Sequence, residues 1–235
     1  MSEDEKMRRA ILTLVAVAAL VVPIASVAAD TTGGGGSSFK YSQTGKGADA
    51  GWSTFPADGQ WVVGTVYTDT FVSTSEQALK ADGTVYSDKF VFIDQFGYTI
   101  DRTGNFVFVS ETFGFAGGSD VTLSIAKTLT SGSVAANISL VTCTVDRRGN
   151  YNCVDSGIGT LAASWTGQGD LIRQSGSYHT VSKGFTDNYK FRGTFRNATA
   201  TGSLNGTPIG GQLYWADLFS ASSREVFICH GPGSC

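Results

Sequence analysis

An eight-residue segment occurs twice in this chain, and it predicts two tight β-hairpins. It reads TIDRTGNF at positions 99–106 and TVDRRGNY at positions 144–151, with β-forming residues on both sides. The aspartate side chain accepts hydrogen bonds from turn amides, and the glycine three residues later can adopt a positive φ. The fold is therefore constrained to antiparallel strands joined by three-residue loops. The predicted turn residues are Asp101, Gly104, Asp146 and Gly149.

The second hairpin also predicts a disulfide. If its turn aligns as expected, Cys143 faces Cys153 at a non-hydrogen-bonded pair, where adjacent strands are close enough for a bridge. Cys229 and Cys235 then form a second bridge near the carboxyl end, although four cysteines allow three connectivities. A zinc site is the alternative, but neither pair has the usual Cys-x-x-Cys spacing. The turns also lack the alternating oxygen ligands of a calcium loop, so we predict no metal site.

The composition favours an all-β fold. The chain has 30 glycines, four prolines, 15 phenylalanines and eight tyrosines, which suits many strands joined by tight turns. We predict a single antiparallel β domain over residues 39–235, with an up-and-down barrel favoured over a two-sheet sandwich because the hairpins follow one another in sequence. The one stretch with helical propensity, 75–81, is equally consistent with a turn or a strand.

The amino-terminal residues predict export. Basic residues, an apolar run and small residues before Asp30 are typical of a secretory signal peptide over residues 1–29. Residues 30–38 read DTTGGGGSS and predict a flexible tether. The alternative is an uncleaved membrane anchor, which is the one way we expect the chain to contact a membrane. We therefore expect a secreted or cell-surface protein, a location where disulfides persist.

Charge and motifs exclude several function classes. The formal net charge is −3, which argues against an electrostatic grip on nucleic acid or anionic lipid. The sequence has no glycine-rich phosphate loop between a strand and a helix, and no Gly-x-Ser-x-Gly nucleophile elbow. We therefore predict no cofactor.

Three residues are candidates for acid–base chemistry. Asp94 and Glu111 are carboxylates within apolar strand segments, where loss of hydration raises a pKa. The hairpin register pairs Asp94 with Thr112 and places Asp94 and Glu111 on opposite faces, so they form a hydrolytic pair only if a β-bulge shifts one strand. His179 is expected to be a half-exposed strand histidine. Both faces of the first hairpin are rich in apolar residues, which predicts a doubly covered position in the sheet.

These observations favour a non-enzymatic role. We expect a secreted domain that binds a small apolar molecule, a glycan or a surface partner, because the fold class is supported and catalytic patterns are not evident. A secreted hydrolase built around Asp94, Glu111 or His179 is one alternative, and an outer-membrane β-barrel is another.

Overall fold

The structure is a computed structural model that describes residues 38–81, 83–146 and 149–230. Within these ranges the chain forms eleven strands and one short 3-10 turn, Gly118–Asp120, and no α-helix. No helix in these ranges could cross a membrane. The strands are β1 (Ser38–Ser53), β2 (Val66–Ala81), β3 (Thr84–Ile100), β4 (Phe106–Gly117), β5 (Val121–Ile125), β6 (Ser131–Val145), β7 (Tyr151–Gly167), β8 (Ile172–Val181), β9 (Phe185–Leu204), β10 (Thr207–Pro208) and β11 (Gln212–Cys229).

The strands form one antiparallel sheet that closes on itself. Its order is β11, β1, β2, β3, β4, β6, β7 and β9, and β9 returns to pair with β11. Sequence neighbours are mostly spatial neighbours, as in an up-and-down barrel, so the predicted fold class is confirmed. Residues 75–81 belong to β2 and are not helical. The predicted signal peptide and most of the predicted tether lie outside the described residues.

Three strands lie outside this eight-strand ring, and the shortest, β10, pairs with the end of β9. β5 lies beside β6 in the line of β4. β8 continues the line of β7 along β9, because Gly167 pairs with Ala198 and Ile172 pairs with Phe195. Where β8 replaces β7 beside β9, six strands lie side by side, in the order β3, β2, β1, β11, β9 and β8. We call this part of the sheet the six-strand extension.

Both predicted turns have the expected hydrogen bonds. The amide of Gly104 donates to the carbonyl of Asp101 at 3.0 Å, and that of Gly149 donates to Asp146 at 2.9 Å. Beyond the second turn, Cys143 pairs with Cys153 and the two form a disulfide, which confirms that prediction. The predicted bridge from Cys229 to Cys235 falls outside the described residues, because position 235 does.

The hydrophobic core lies on one face of the sheet, inside the ring. Alternation along each strand places small and aliphatic residues inward, and Trp165 donates its indole N–H to the carbonyl of Asp49 at 2.9 Å. Next to its turn the first hairpin is not doubly covered, since Phe106 is 64% exposed and Val107 is 44% exposed. Central core residues are Ala48, Ala50, Trp52, Val72, Val91, Ile93, Ile138, Leu161, Trp165 and Leu218.

Candidate functional site

Charged strand residues are sorted by sign between the two faces of the sheet. Side chains alternate between faces along a strand, and directly paired residues share a face. The face of Ala48 and Ala50, which we call the core face, carries all the basic strand residues that the structure describes: Lys40, Lys46, Lys80, Lys89, Arg173, Lys190, Arg192, Arg196 and Arg224.

The opposite face, which we call the acidic face, carries the carboxylates. Its members are Asp49, Asp69, Asp88, Asp94, Glu111, Asp155, Asp187, Asp217 and Glu225. Among the described strand residues, Glu76 is the one carboxylate on the core face. The small net charge of the chain therefore conceals two faces of opposite sign.

The register predicted for the first hairpin is correct near the turn and wrong beyond it. Tyr98 pairs with Phe108 as expected, but Gly97 then pairs with Ser110, so Val109 is the extra residue of a β-bulge. A one-residue shift moves every later side chain of β4 to the other face relative to the prediction.

This bulge places Asp94 and Glu111 on the same face, which corrects the predicted separation. Glu111 pairs with Phe96, and Asp94 lies two residues before Phe96, so the carboxylates are diagonal neighbours on β3 and β4. Diagonal side chains lie roughly 7–8 Å apart. Burial raises the pKa of Asp94 to about 6, and the charge of Glu111 contributes to that rise.

A third polar group reaches this pair from β7. The hydroxyl of Tyr151 donates a hydrogen bond to Oε2 of Glu111. This bond raises the pKa of the Tyr151 phenol, because it favours the protonated form, and burial and the charges of Glu111 and Asp94 act in the same direction. Carboxylate, carboxylate and phenol therefore converge from three strands.

Aromatic rings form a continuous row beside these groups. Ring centroids are 6.1 Å apart for Tyr67 and Tyr98, 6.0 Å for Tyr98 and Phe96, 5.3 Å for Phe96 and Phe108, and 5.3 Å for Phe108 and Tyr151. Phe106 packs edge-on to Tyr98 at 5.2 Å. We call these six rings the aromatic row. Its outer members remain open to solvent, with Tyr151 53% and Phe106 64% exposed.

A second carboxylate pair lies on the same face where β1 meets β11. Asp49 pairs directly with Asp217, and Asp49 is only 1% exposed. Neither carboxylate oxygen of Asp49 has a hydrogen-bond partner among the described residues, although Ser73 lies opposite. Burial raises the pKa of both aspartates well above the usual range, and the charge of Asp49 raises that of Asp217 further.

Aromatic side chains cover this second pair because glycines flank Asp49. A Cβ at Gly47 would lie 2.5 Å from the ring of Phe219, and one at Gly51 would lie 2.6 Å from that of Tyr214. The absence of side chains at these glycines lets both rings approach the strand backbone. Asp49 lies between these two glycines on the same face of the strand and is 1% exposed.

The remaining predicted residues do not join either carboxylate pair. His179 is exposed on β8, on the core face, where its Nδ1 lies 2.6 Å from Oδ1 of Asn188. The turn residues lie at the hairpin loops, and Cys143 and Cys153 flank the row as a bridge. Among the described residues no three His, Cys, Asp or Glu side chains group together to hold a metal ion.

Sequence reasoning missed Tyr151, Asp49 and Asp217 as site residues. The sequence does indicate the face that Tyr151 occupies, because the hairpin register places Tyr151 two residues from Cys153 and therefore on the same face as the disulfide. Asp49 and Asp217 are far apart in sequence, and no local pattern indicates that the first and last described strands pair.

Comparisons with known proteins give no family. No protein-family model matches the chain, and no curated protein does. Among solved structures, the chain is similar to an acetoacetate decarboxylase-like enzyme from Sphingomonas wittichii RW1, with 9% identity over 82% of this chain and 92% of that one and a TM-score of 0.32. It also aligns with the β domain of the Bordetella autotransporter Brka, with 10% identity over 82% and 98% of the two chains and a TM-score of 0.13.

Proposed function

We propose that this protein is an exported, non-enzymatic domain that binds a glycan along the aromatic row of its acidic face. The carrying observation is that the exposed rings of Phe96, Phe106 and Tyr151 lie on the same sheet face as Asp94 and Glu111, with Tyr151 hydrogen-bonded to Glu111. Sugars present apolar C–H faces that stack on rings and hydroxyl edges that bond to carboxylates, so the row complements both parts. The carboxylates make a purely apolar ligand a poorer fit, because its binding would bury them without partners.

Export is part of the same proposal. The Cys143–Cys153 bridge supports it, because structural disulfides persist in oxidising compartments such as the cell exterior. The leader-like sequence at residues 1–29 is consistent with that location.

Binding of neutral oligosaccharides tests the glycan assignment. We expect Phe106→Ala to weaken binding about fivefold, since loss of one stacking ring removes roughly 1 kcal/mol. Tyr151→Phe keeps the ring and should have a smaller effect. Val154→Ala is the matched control, because Val154 is 56% exposed but lies on the core face.

Calorimetric titration against a panel of plant, fungal and bacterial cell-wall oligosaccharides provides the readout. The proposal fails if no member of the panel binds at millimolar concentration. It also fails if Val154→Ala weakens binding as much as Phe106→Ala does.

A second candidate function, glycoside hydrolysis, is favoured by the bulge at Val109. Hydrolysis requires two carboxyl groups that flank the scissile bond, one of them a proton donor with a raised pKa. Asp94, with a pKa of about 6, suits the acid, and Glu111 suits the base. Strand positions roughly 7–8 Å apart allow the carboxyl separation that inverting enzymes use. We place binding first because Phe106 and Tyr151, which lie beside the pair, are 64% and 53% exposed, so a sugar bound there is poorly confined.

Turnover separates the two candidates. If hydrolysis occurs, Asp94→Asn and Glu111→Gln should each abolish release of reducing ends while binding persists. If the domain only binds, the wild-type protein should leave every bound oligosaccharide intact after prolonged incubation, as followed by chromatography.

A further inference from the structure

The core face of the six-strand extension carries a concentrated set of positive charges. Eight basic residues lie there, and we call them the basic patch: Lys40, Lys46, Lys80, Lys89, Arg173, Lys190, Arg192 and Arg224. Six of them are exposed, and Lys46 and Lys89 are half-buried. Glu76 is the one described carboxylate on strand positions of this surface, and it lies 3.9 Å from Lys46.

Strand register arranges the patch as a regular array. Each row crosses six strands at about 4.8 Å intervals, and successive rows are about 6.7 Å apart along the strands. The patch therefore extends roughly 24 Å across the sheet. The first row reads Lys89, Glu76, Lys46, Ser220, Thr194 and Arg173; the second reads Ser87, Ala78, Thr44, Ser222, Arg192 and Ser175; the third reads Val85, Lys80, Ser42, Arg224, Lys190 and Ser177.

Serine and threonine occupy most of the uncharged positions of these rows, with Ala78 and Val85 at the others. Within the patch lies a shallow depression of about 340 Å³, whose lining includes Thr44, Lys46, Arg192, Thr194 and Ser222. The surface therefore combines cations with short hydroxyl side chains and a shallow hollow. No aromatic ring of Phe, Tyr or Trp stands on these three rows.

We propose that the basic patch binds an acidic polysaccharide, that is, a sugar polymer with repeated carboxylate or sulfate groups. Repeated cations match repeated anions, and serine and threonine hydroxyls match sugar hydroxyls. Single-stranded nucleic acid fits less well, because its binding surfaces supply aromatic rings for base stacking. The site is distinct from the aromatic row, which lies on the other face of the sheet.

The acidic face does not prevent this interaction. Side chains on the two faces point in opposite directions from the sheet, and the Debye length is about 8 Å at physiological ionic strength. A polyanion on the basic patch therefore interacts mainly with the local positive charge. The net charge of −3 for the whole chain therefore does not describe the local charge that a polyanion encounters at the basic patch.

Binding of labelled dextran sulfate and polygalacturonate to the full chain tests this inference, with neutral dextran as the uncharged reference. We expect Arg192→Gln combined with Arg224→Gln to weaken binding roughly tenfold and to reduce its salt dependence. Glu76→Gln should strengthen binding two- to threefold, because it removes the one carboxylate that the described strands place among these cations. Lys127→Gln is the control, since Lys127 is exposed in the turn between β5 and β6.

Four results would overturn the inference. They are no binding of either polyanion at low salt, equal losses for Lys127→Gln and the double variant, tighter binding of DNA of matched charge, and self-association without added polymer that the double variant abolishes. The last result would mean that the basic patch binds the acidic face of a second copy of this chain. Phe106→Ala should leave polyanion binding unchanged, so failure of the glycan proposal on the aromatic row is distinguishable.

Discussion

The two hairpins with the repeated turn differ at the pair three residues from the loop. In the first hairpin this pair is Tyr98 and Phe108, and in the second it is Cys143 and Cys153. Rings hold the first pair through contacts with neighbouring rings, whereas a covalent bond holds the second. Strands joined by the same turn are therefore held by noncovalent ring contacts in the first hairpin and by a disulfide bond in the second.

Register diverges just after that pair. The first hairpin shifts at once, with its bulge at Val109, whereas the second keeps its alignment until Val141 pairs with Asp155. The turn thus determines pairing only near the loop. Side-chain packing further along the strands determines which face a carboxylate occupies, and in the first hairpin it brings Asp94 and Glu111 together.

Removing the disulfide should produce the largest difference between the hairpins. We expect Cys143→Ala with Cys153→Ala to lower the free energy of unfolding by about 2–3 kcal/mol, because the bridge restricts the unfolded chain. Urea denaturation of the variant and the wild type measures this change. A loss below about 0.5 kcal/mol would mean that packing, as in the first hairpin, already holds the second one.

The turn glycines should behave alike in the two hairpins. Gly104 has φ +87° and Gly149 has φ +83°, so alanine at either position would adopt an unfavourable left-handed conformation. We expect each substitution to cost about 1 kcal/mol in thermal or urea unfolding. Gly176→Ala is the control, because a Cβ there meets no atom within 4 Å. Unequal costs at 104 and 149 would show that the turns are not equivalent.

Acid should weaken the first turn slightly. Asp101 accepts hydrogen bonds from Thr103 and Asn105, which lower its pKa to about 2. A carboxylate with a lowered pKa stabilises the folded state above its ordinary pKa of about 4, and that contribution is lost as pH falls towards 2. Melting temperatures between pH 2 and 5 should therefore fall less steeply in Asp101→Asn than in the wild type. Identical slopes would contradict this role.

Local chemistry explains what the sequence could predict. The turns at Asp101 and Asp146, and the bridge between Cys143 and Cys153, depend on residues within a few positions of each other. The all-β class follows from composition and from repeated hairpins. Each of these features is determined before distant strands meet.

Long-range features could not be predicted in the same way. The bulge at Val109 depends on packing between β3, β4 and β6, and the pairing of Asp49 with Asp217 depends on closure of the ring. Sorting of charges between the faces was visible only when every strand's register was known. A net charge averages over both faces and removes this signal.

The buried aspartates at the junction of β1 and β11 couple closure of the ring to the uptake of protons. A carboxyl group whose pKa is higher in the folded than in the unfolded chain takes up hydrogen ions as the chain folds. The junction is therefore most favourable in mildly acidic surroundings, and its contribution to stability decreases as pH rises above about 4 and through the folded pKa values. Alkaline conditions would set two negative charges against each other at the seam that joins the beginning of the domain to its end.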